Sequence, residues 1–149
     1  MTENANHPLL QDLNEEQREG VLTTDGPVLM LAGAGSGKTK TLTHRIAYLV
    51  DVKKIHPSAI LAVTFTNKAA TEMRVRINGL LGRDAEDRMF LPFLGTFHSI
   101  AVRILRREAM HLGYPTSFVI YDEADTQSVV KQVCKDLGIE EKVFSPQSM

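Results

Sequence analysis

The 149-residue sequence predicts an α/β fold, a parallel sheet with flanking helices, followed by the start of a separate helical piece. Three observations predict it. Twice, a short uninterrupted apolar run gives way to apolar residues at helical spacing, the strand-then-helix order that parallel strands with right-handed crossovers require. The composition is 43% hydrophobic and 23% charged with 10 Gly and 6 Pro, which suits a globular chain and not a disordered or collagen-like one. Finally, the chain contains no internal repeat and no low-complexity tract, and its length is that of one ordinary domain.

The elements follow in order. "NEEQREGVL" (14–22) opens on a capping residue with acids in its first turn, and reads as a short helix. Val28–Leu31 is an apolar run too short for an amphipathic helix and reads as a buried strand; Leu42, Ile46, Ala47, Leu49 and Val50 then repeat at helical spacing. "AILAVTF" (59–65) reads as a second buried strand. Ala69, Ala70, Met73, Ile77 and Leu80 form the inner stripe of the next helix, whose outer face sets Glu72 four residues before Arg76. A polar loop, "GRDAEDRMF", precedes a short stretch at 93–96 and a helix from about Phe97 to His111. The expected division is 1–111 for the α/β piece and 112–149 for the helical one.

"AGAGSGKT" (32–39) carries the chemistry. A phosphate chain needs several backbone N–H donors converging on it, hence small residues free to take unusual dihedrals, here Gly33, Gly35 and Gly37 among Ala32, Ala34 and Ser36. It also needs a helix whose positive end opens at the loop. Lys38 then supplies a mobile charge for the β- and γ-phosphates of a nucleoside triphosphate, and the Thr39 hydroxyl can ligate Mg²⁺. Ala32 stands where the strict pattern has glycine, a change that removes no donor. The loop alone predicts a P-loop NTPase and leaves kinases, GTPases, transporters and helicases open.

Net charge is −1, but it is unevenly placed: −5 over 1–27, +4 over 28–61, +3 over 62–111 and −3 over 112–149. The basic middle could face phosphates. The single cysteine, Cys134, excludes an internal disulfide and a multi-thiolate zinc cluster, and within a valine and leucine stripe it reads as a small buried hydrophobe. The N-terminus lacks a secretion-signal layout and no apolar run approaches the ~20 residues of a spanning helix, so no membrane association and a cytoplasmic location are expected.

Four strings in this order, "LNEEQREGV" (13–21), "AGAGSGKT", "AVTFTNKAATEMRVRI" (62–77) and "GTFHSIAVRILRRE" (95–108), resemble the opening motifs of the UvrD/Rep-type superfamily I DNA helicases, a likeness running from about Leu13 to Leu137. The resemblance implies a RecA-like motor domain and an ATP-dependent, 3′–5′ single-stranded-DNA translocase acting in repair or replication. It also implies that the chain is the N-terminal part of such an enzyme, with Walker B, the second motor domain and any arginine finger lying farther along. Its partners would be single-stranded DNA and duplex junctions. Gln17 resembles the glutamine that reads the adenine edge, although on sequence alone it reads as an exposed helix polar residue. Lys40 replaces the family's usual arginine after the threonine, keeping charge but losing a planar stacking face. Thr64, Phe65, Thr66 and Asn67, with Thr96, Phe97 and His98, resemble the clusters that carry single-stranded DNA. For Phe65 and Phe97 both base stacking and core packing remain open, while Arg103, Arg106 and Arg107 read as solvated helix charges.

"FVIYDEADTQ" (118–127) contains the string Asp-Glu-Ala-Asp behind an apolar run, the Walker B recipe of a DEAD-box RNA helicase. No Ser-Ala-Thr follows it, and the resemblance places Phe118, Ile120, Asp122 and Asp125 at the opening of a helical insertion. Asp122 therefore reads as a helix N-cap, Glu123 and Asp125 as first-turn acids, and "LGI" (137–139) as a glycine C-cap before a polar tail. The competing readings are a DEAD-box-like enzyme using Asp122 and Glu123, and a non-motor domain that binds nucleotide or DNA for regulation.

Overall fold

The first helix, α1 (Glu15–Leu22), is started by Asn14, whose side chain accepts from the Gln17 amide at 2.8 Å while Gln17 Oε1 accepts from the Asn14 amide at 3.2 Å, a reciprocal capping box. The computed structural model of the chain describes residues 7–139. These fall into two compact units dividing between Ile104 and Leu105. The first is a helix-rich α/β unit built on α1, α2 (Lys38–Asp51), β1 (Ala62–Thr64), α3 (Asn67–Leu80), β2 (Leu94–Thr96) and the first part of α4 (Phe97–Glu108). Single 3₁₀ turns at Pro8–Leu10 and Pro57–Ala59 each begin with proline and a histidine cap.

β1 and β2 pair in parallel, with Ala62 opposite Leu94 and Thr64 opposite Thr96, and α3 makes the crossover between them. Thr66 caps α3 by accepting from the Ala69 amide at 3.1 Å. The two strands and the helices α2 and α3 enclose one core: Ile46 from α2, Ala62 from β1, Ala70, Met73 and Ile77 from α3, Leu94 from β2, with Leu91 fully buried. α2 turns its other face, Ala47 and Tyr48, onto a second core made with Leu9, Leu10, Leu13 and Val21. The segment before α1 thus packs as core, which periodicity could not announce because its three leucines belong to a turn rather than to a repeating element.

Two expectations are corrected. Val28–Leu31 belongs to no strand ladder among the described residues; the two-stranded sheet is made instead by residues 62–64 of the expected 59–65 strand and by the stretch at 94–96. The side chains of Val28–Leu31 alternate as in a strand: Val28 and Met30 are 39% and 37% exposed, Leu29 and Leu31 are 83% and 88% exposed. Met30 lies against Gly20, where a Cβ would meet the Met30 sulfur at 2.7 Å. A buried parallel strand needs partners for its backbone and cover on both faces, and here only one face is covered. The second correction is the Glu72–Arg76 pair, for which no ion pair is seen among the described residues. On α3 it is the neighbouring Arg74 that is engaged instead, donating to three loop carbonyls.

In the second unit, a 3₁₀ turn (Ala109–Leu112) ends on Gly113 at φ +76°. The helix α5 (Glu123–Asp136) closes at Gly138, φ +69°, with Ile139 N donating to Cys134 O at 2.8 Å and Gly138 N to Lys135 O at 3.1 Å, the paired bonds of a Schellman cap. Cys134 is buried and free, as the stripe predicts. The polar tail read after Ile139 lies outside the described residues. Among those described, no helix is long and apolar enough to cross a membrane, and no cluster of His, Cys, Asp and Glu is arranged to hold a metal.

Candidate nucleotide and nucleic-acid site

The helices α1, α3 and α5 begin with side-chain caps at Asn14, Thr66 and Asp122, and at the head of α4 the Thr96 hydroxyl accepts from the Ser99 amide at 3.2 Å. α2 is different. Its N-cap is Gly37 in the left-handed conformation, φ +84°, no side chain caps it, and its first turn carries no acid but Lys38 and Lys40. Uncapped N–H groups at the positive end of a helix, with cations added, disfavour the isolated helix and favour an anion there.

The loop leading into α2 has Gly35 at φ +76°, Ser36 bonded through Oγ to the Gly33 carbonyl at 2.7 Å, and Lys38 Nζ donating to Ala32 O at 3.0 Å and Gly33 O at 2.7 Å. The ammonium is thus folded over its own loop, where an incoming phosphate would compete with two carbonyls for it. Thr39 is exposed in the first turn of α2. Gln17 comes to this loop from α1: its Nε2 donates to Ser36 O at 2.9 Å, and a Cβ on Gly37 would sit 2.5 Å from that nitrogen. Glycine at 37 is therefore required by the dihedral, and a side chain there would also displace the Gln17 amide from the loop. Lys40 Nζ donates to the Asp12 carbonyl, which holds its ammonium against the turn before α1. Arg45, which sequence reasoning missed, ties α2 to the end of α1 through the carbonyls of Gly20, at 2.6 Å, and Thr23. A cleft of about 810 Å³ lies between α1 and the extended residues before the loop, lined by Gln17, Gly20, Met30, Ser36 and Lys38 among others.

Beyond the sheet ends, the "TFTN" and "GTFHS" stretches come together. Thr64 and Thr96 face each other in register. Just past them Phe65, 91% exposed, and Phe97, 51% exposed, lie with ring centroids 5.6 Å apart at 49°. The core-packing reading of both rings is thereby removed: the pair presents aromatic surface to solvent. Thr66, Asn67 and His98 are exposed beside it at the starts of α3 and α4, while Thr64 is turned inward and donates to Thr66 O at 3.0 Å. Gly95 lets α4 begin this close to the strand, since a Cβ there would meet Ser99 Oγ at 2.6 Å. On the following loop, Asp87 is held below its ordinary carboxyl range first by the Arg83 guanidinium at 3.0 Å and then by the Met89 and Phe90 amides.

The Asp-Glu-Ala-Asp string behaves as a helix start. Asp122 Oδ1 accepts from the Asp125 amide at 2.8 Å and Asp125 Oδ2 accepts from the Asp122 amide at 3.1 Å. The apolar residues before it form no strand, and Val119, Ile120 and Tyr121 are exposed. Asn caps as well as Asp, so Asp122→Asn in the full-length protein is expected to leave ATP turnover unchanged, whereas Asp122→Ala costs about 1 kcal/mol of local stability. Turnover falling to background in the asparagine variant would restore the Walker B reading.

An uncapped, glycine-led helix with a lysine at its head and a glutamine reaching its loop from α1 has the form of a phosphate-binding loop. Residues 13–149 match the model of the UvrD/REP helicase N-terminal domain, and the chain belongs to that family. It is 51% identical over 138 residues to the ATP-dependent DNA helicase PcrA of Staphylococcus epidermidis and 52% identical over 138 residues to PcrA of Staphylococcus aureus. Each match covers 93% of this chain and 18% of the relative, so the chain spans less than a fifth of the length of these proteins.

Proposed function

We propose that this chain is the front of the first RecA-like motor domain of an ATP-dependent 3′–5′ DNA helicase, together with the beginning of its helical insertion. The observation that carries the reading is the uncapped start of α2 behind residues 32–37, with Gln17 seated on the Ser36 carbonyl. In this reading the amides of Gly33 to Thr39 cradle the phosphates, Lys38 leaves its two carbonyls to pair with the β- and γ-oxygens, and Gln17 reads the adenine edge while fixing the loop. Lys40 adds positive charge beside them. Thr39 suits Mg²⁺, which takes few protein ligands and shares phosphate oxygens, in keeping with the exposed threonine at that position. When bound, the ion would neutralise charge on the phosphates.

Phe65 and Phe97 supply sequence-tolerant stacking surface, and Thr66, Asn67, Thr96 and His98 sit where polar groups at helix starts can hold the phosphates of single-stranded DNA. The full-length protein is expected to displace a strand from a duplex with a 3′ single-stranded tail when ATP and Mg²⁺ are supplied. A strand-displacement assay with 3′- and 5′-tailed substrates checks this. ATP-dependent displacement absent from both would refute the motor reading and favour a non-motor binding domain.

A further inference from the structure

The loop between α3 and β2 is gripped by two arginines, Arg74 and Arg103, the second of which is therefore not the solvated helix charge that the sequence suggested. Arg74, half-buried on α3, donates from Nη1 to Arg88 O at 3.2 Å and Leu91 O at 3.1 Å, and from Nη2 to Leu94 O at 2.6 Å. Arg103, on α4, donates to Pro92 O. Leu94 is the first residue of β2, so the guanidinium of Arg74 holds the chain three residues before Phe97.

We propose that Arg74 is a positioning residue for the Phe65–Phe97 pair: its planar fork fixes where the loop delivers β2 beside β1, and so the angle and spacing at which Phe97 meets Phe65. The proposal rests on the reading of that pair as a single-strand contact. The connection is short on both sides. α3 begins two residues after Phe65, Arg74 lies two turns along it, and its Nη2 reaches back to the strand that ends one residue before Phe97. The carbonyls engaged at 88, 91 and 94 demand several N–H groups in one plane, which guanidinium has and ammonium lacks. Burial first, then the like charges of Arg88 and Arg103, lower the Arg74 pKa, with Asp87 opposing. Like charges do not gather of themselves, so the carbonyl bonds are what hold the group there.

The test is Arg74→Lys in the full-length protein, which keeps the charge and removes the fork. Single-strand affinity is expected to fall roughly tenfold, the size of a lost charged hydrogen bond, with the salt slope of binding unchanged and nucleotide affinity intact. In combination with Phe97→Ala the two losses should not add, since the lysine variant has already misplaced the ring. Full additivity, or a salt slope reduced by about 1 as for a lost phosphate contact, would overturn the proposal. If Phe97→Ala leaves single-strand affinity unchanged, the DNA reading of the pair is what fails. The inter-ring nuclear Overhauser contact between Phe65 and Phe97 in the lysine variant then decides about Arg74: its loss supports the positioning role, its retention overturns it.

Discussion

Replacing Lys38 by alanine in the full-length protein is expected to lower ATP hydrolysis by on the order of 10²–10³, the cost of removing one preorganised charge donor from a transferring phosphoryl group. Folding should be untouched. Lys38 is exposed and its bonds go only to Ala32 and Gly33 of its own loop, so nothing in either core depends on it. Steady-state phosphate release measured beside the circular-dichroism spectrum separates the two effects. Turnover within a few-fold of the parent would show that the loop does not grip a triphosphate in the manner argued.

The second large effect lies away from the nucleotide. Asn78 is fully buried, and its Nδ2 donates to the carbonyls of Asp84 at 2.9 Å, Ala85 at 3.4 Å and Asp87 at 3.1 Å, so one amide gathers the loop after α3. Asn78→Asp keeps the shape and replaces the donor with a charged acceptor facing three oxygens. The expected cost is about 3 kcal/mol or more, that of a buried charge without a partner. It should appear as faster amide exchange at Arg83, Asp87 and Met89, and shrink as pH falls towards the ordinary carboxylate range, because burial against three carbonyl oxygens raises the pKa of the new acid and its protonated form donates again. Unchanged exchange at these amides would mean that the loop is held otherwise.

What could be read from the sequence was mostly what neighbouring residues decide among themselves. The caps at Asn14 and Asp122, the glycine closure at 138, and the phosphate loop at the head of α2 all depend on contacts within a few positions, and local chemistry specifies them. The inner stripes of α2 and α3, apart from Ala69, which is exposed, were legible because burial on one face imposes a period. Val28–Leu31 was misjudged since its apolar run reports a preference for burial, while a ladder also needs another segment alongside. Arg74 and Asn78 escaped notice because their partners are main-chain carbonyls 6 to 20 positions away, and any residue type has a carbonyl to offer. Phe65 and Phe97 could not be assigned to stacking or packing until the register of β1 and β2 placed both rings past the strand ends.

One helix serves both cores. α2 presents Ile46 to the cluster around the sheet and Tyr48 to the cluster built by Leu9, Leu10 and Leu13, so the two cannot melt as independent bodies. Shaving the chain back past Leu13 would strip Tyr48 of cover and loosen the rod at whose far end lies the proposed triphosphate site. On the proposed function, an injury at residues 9–13 would thus be felt as a weakened hold on fuel.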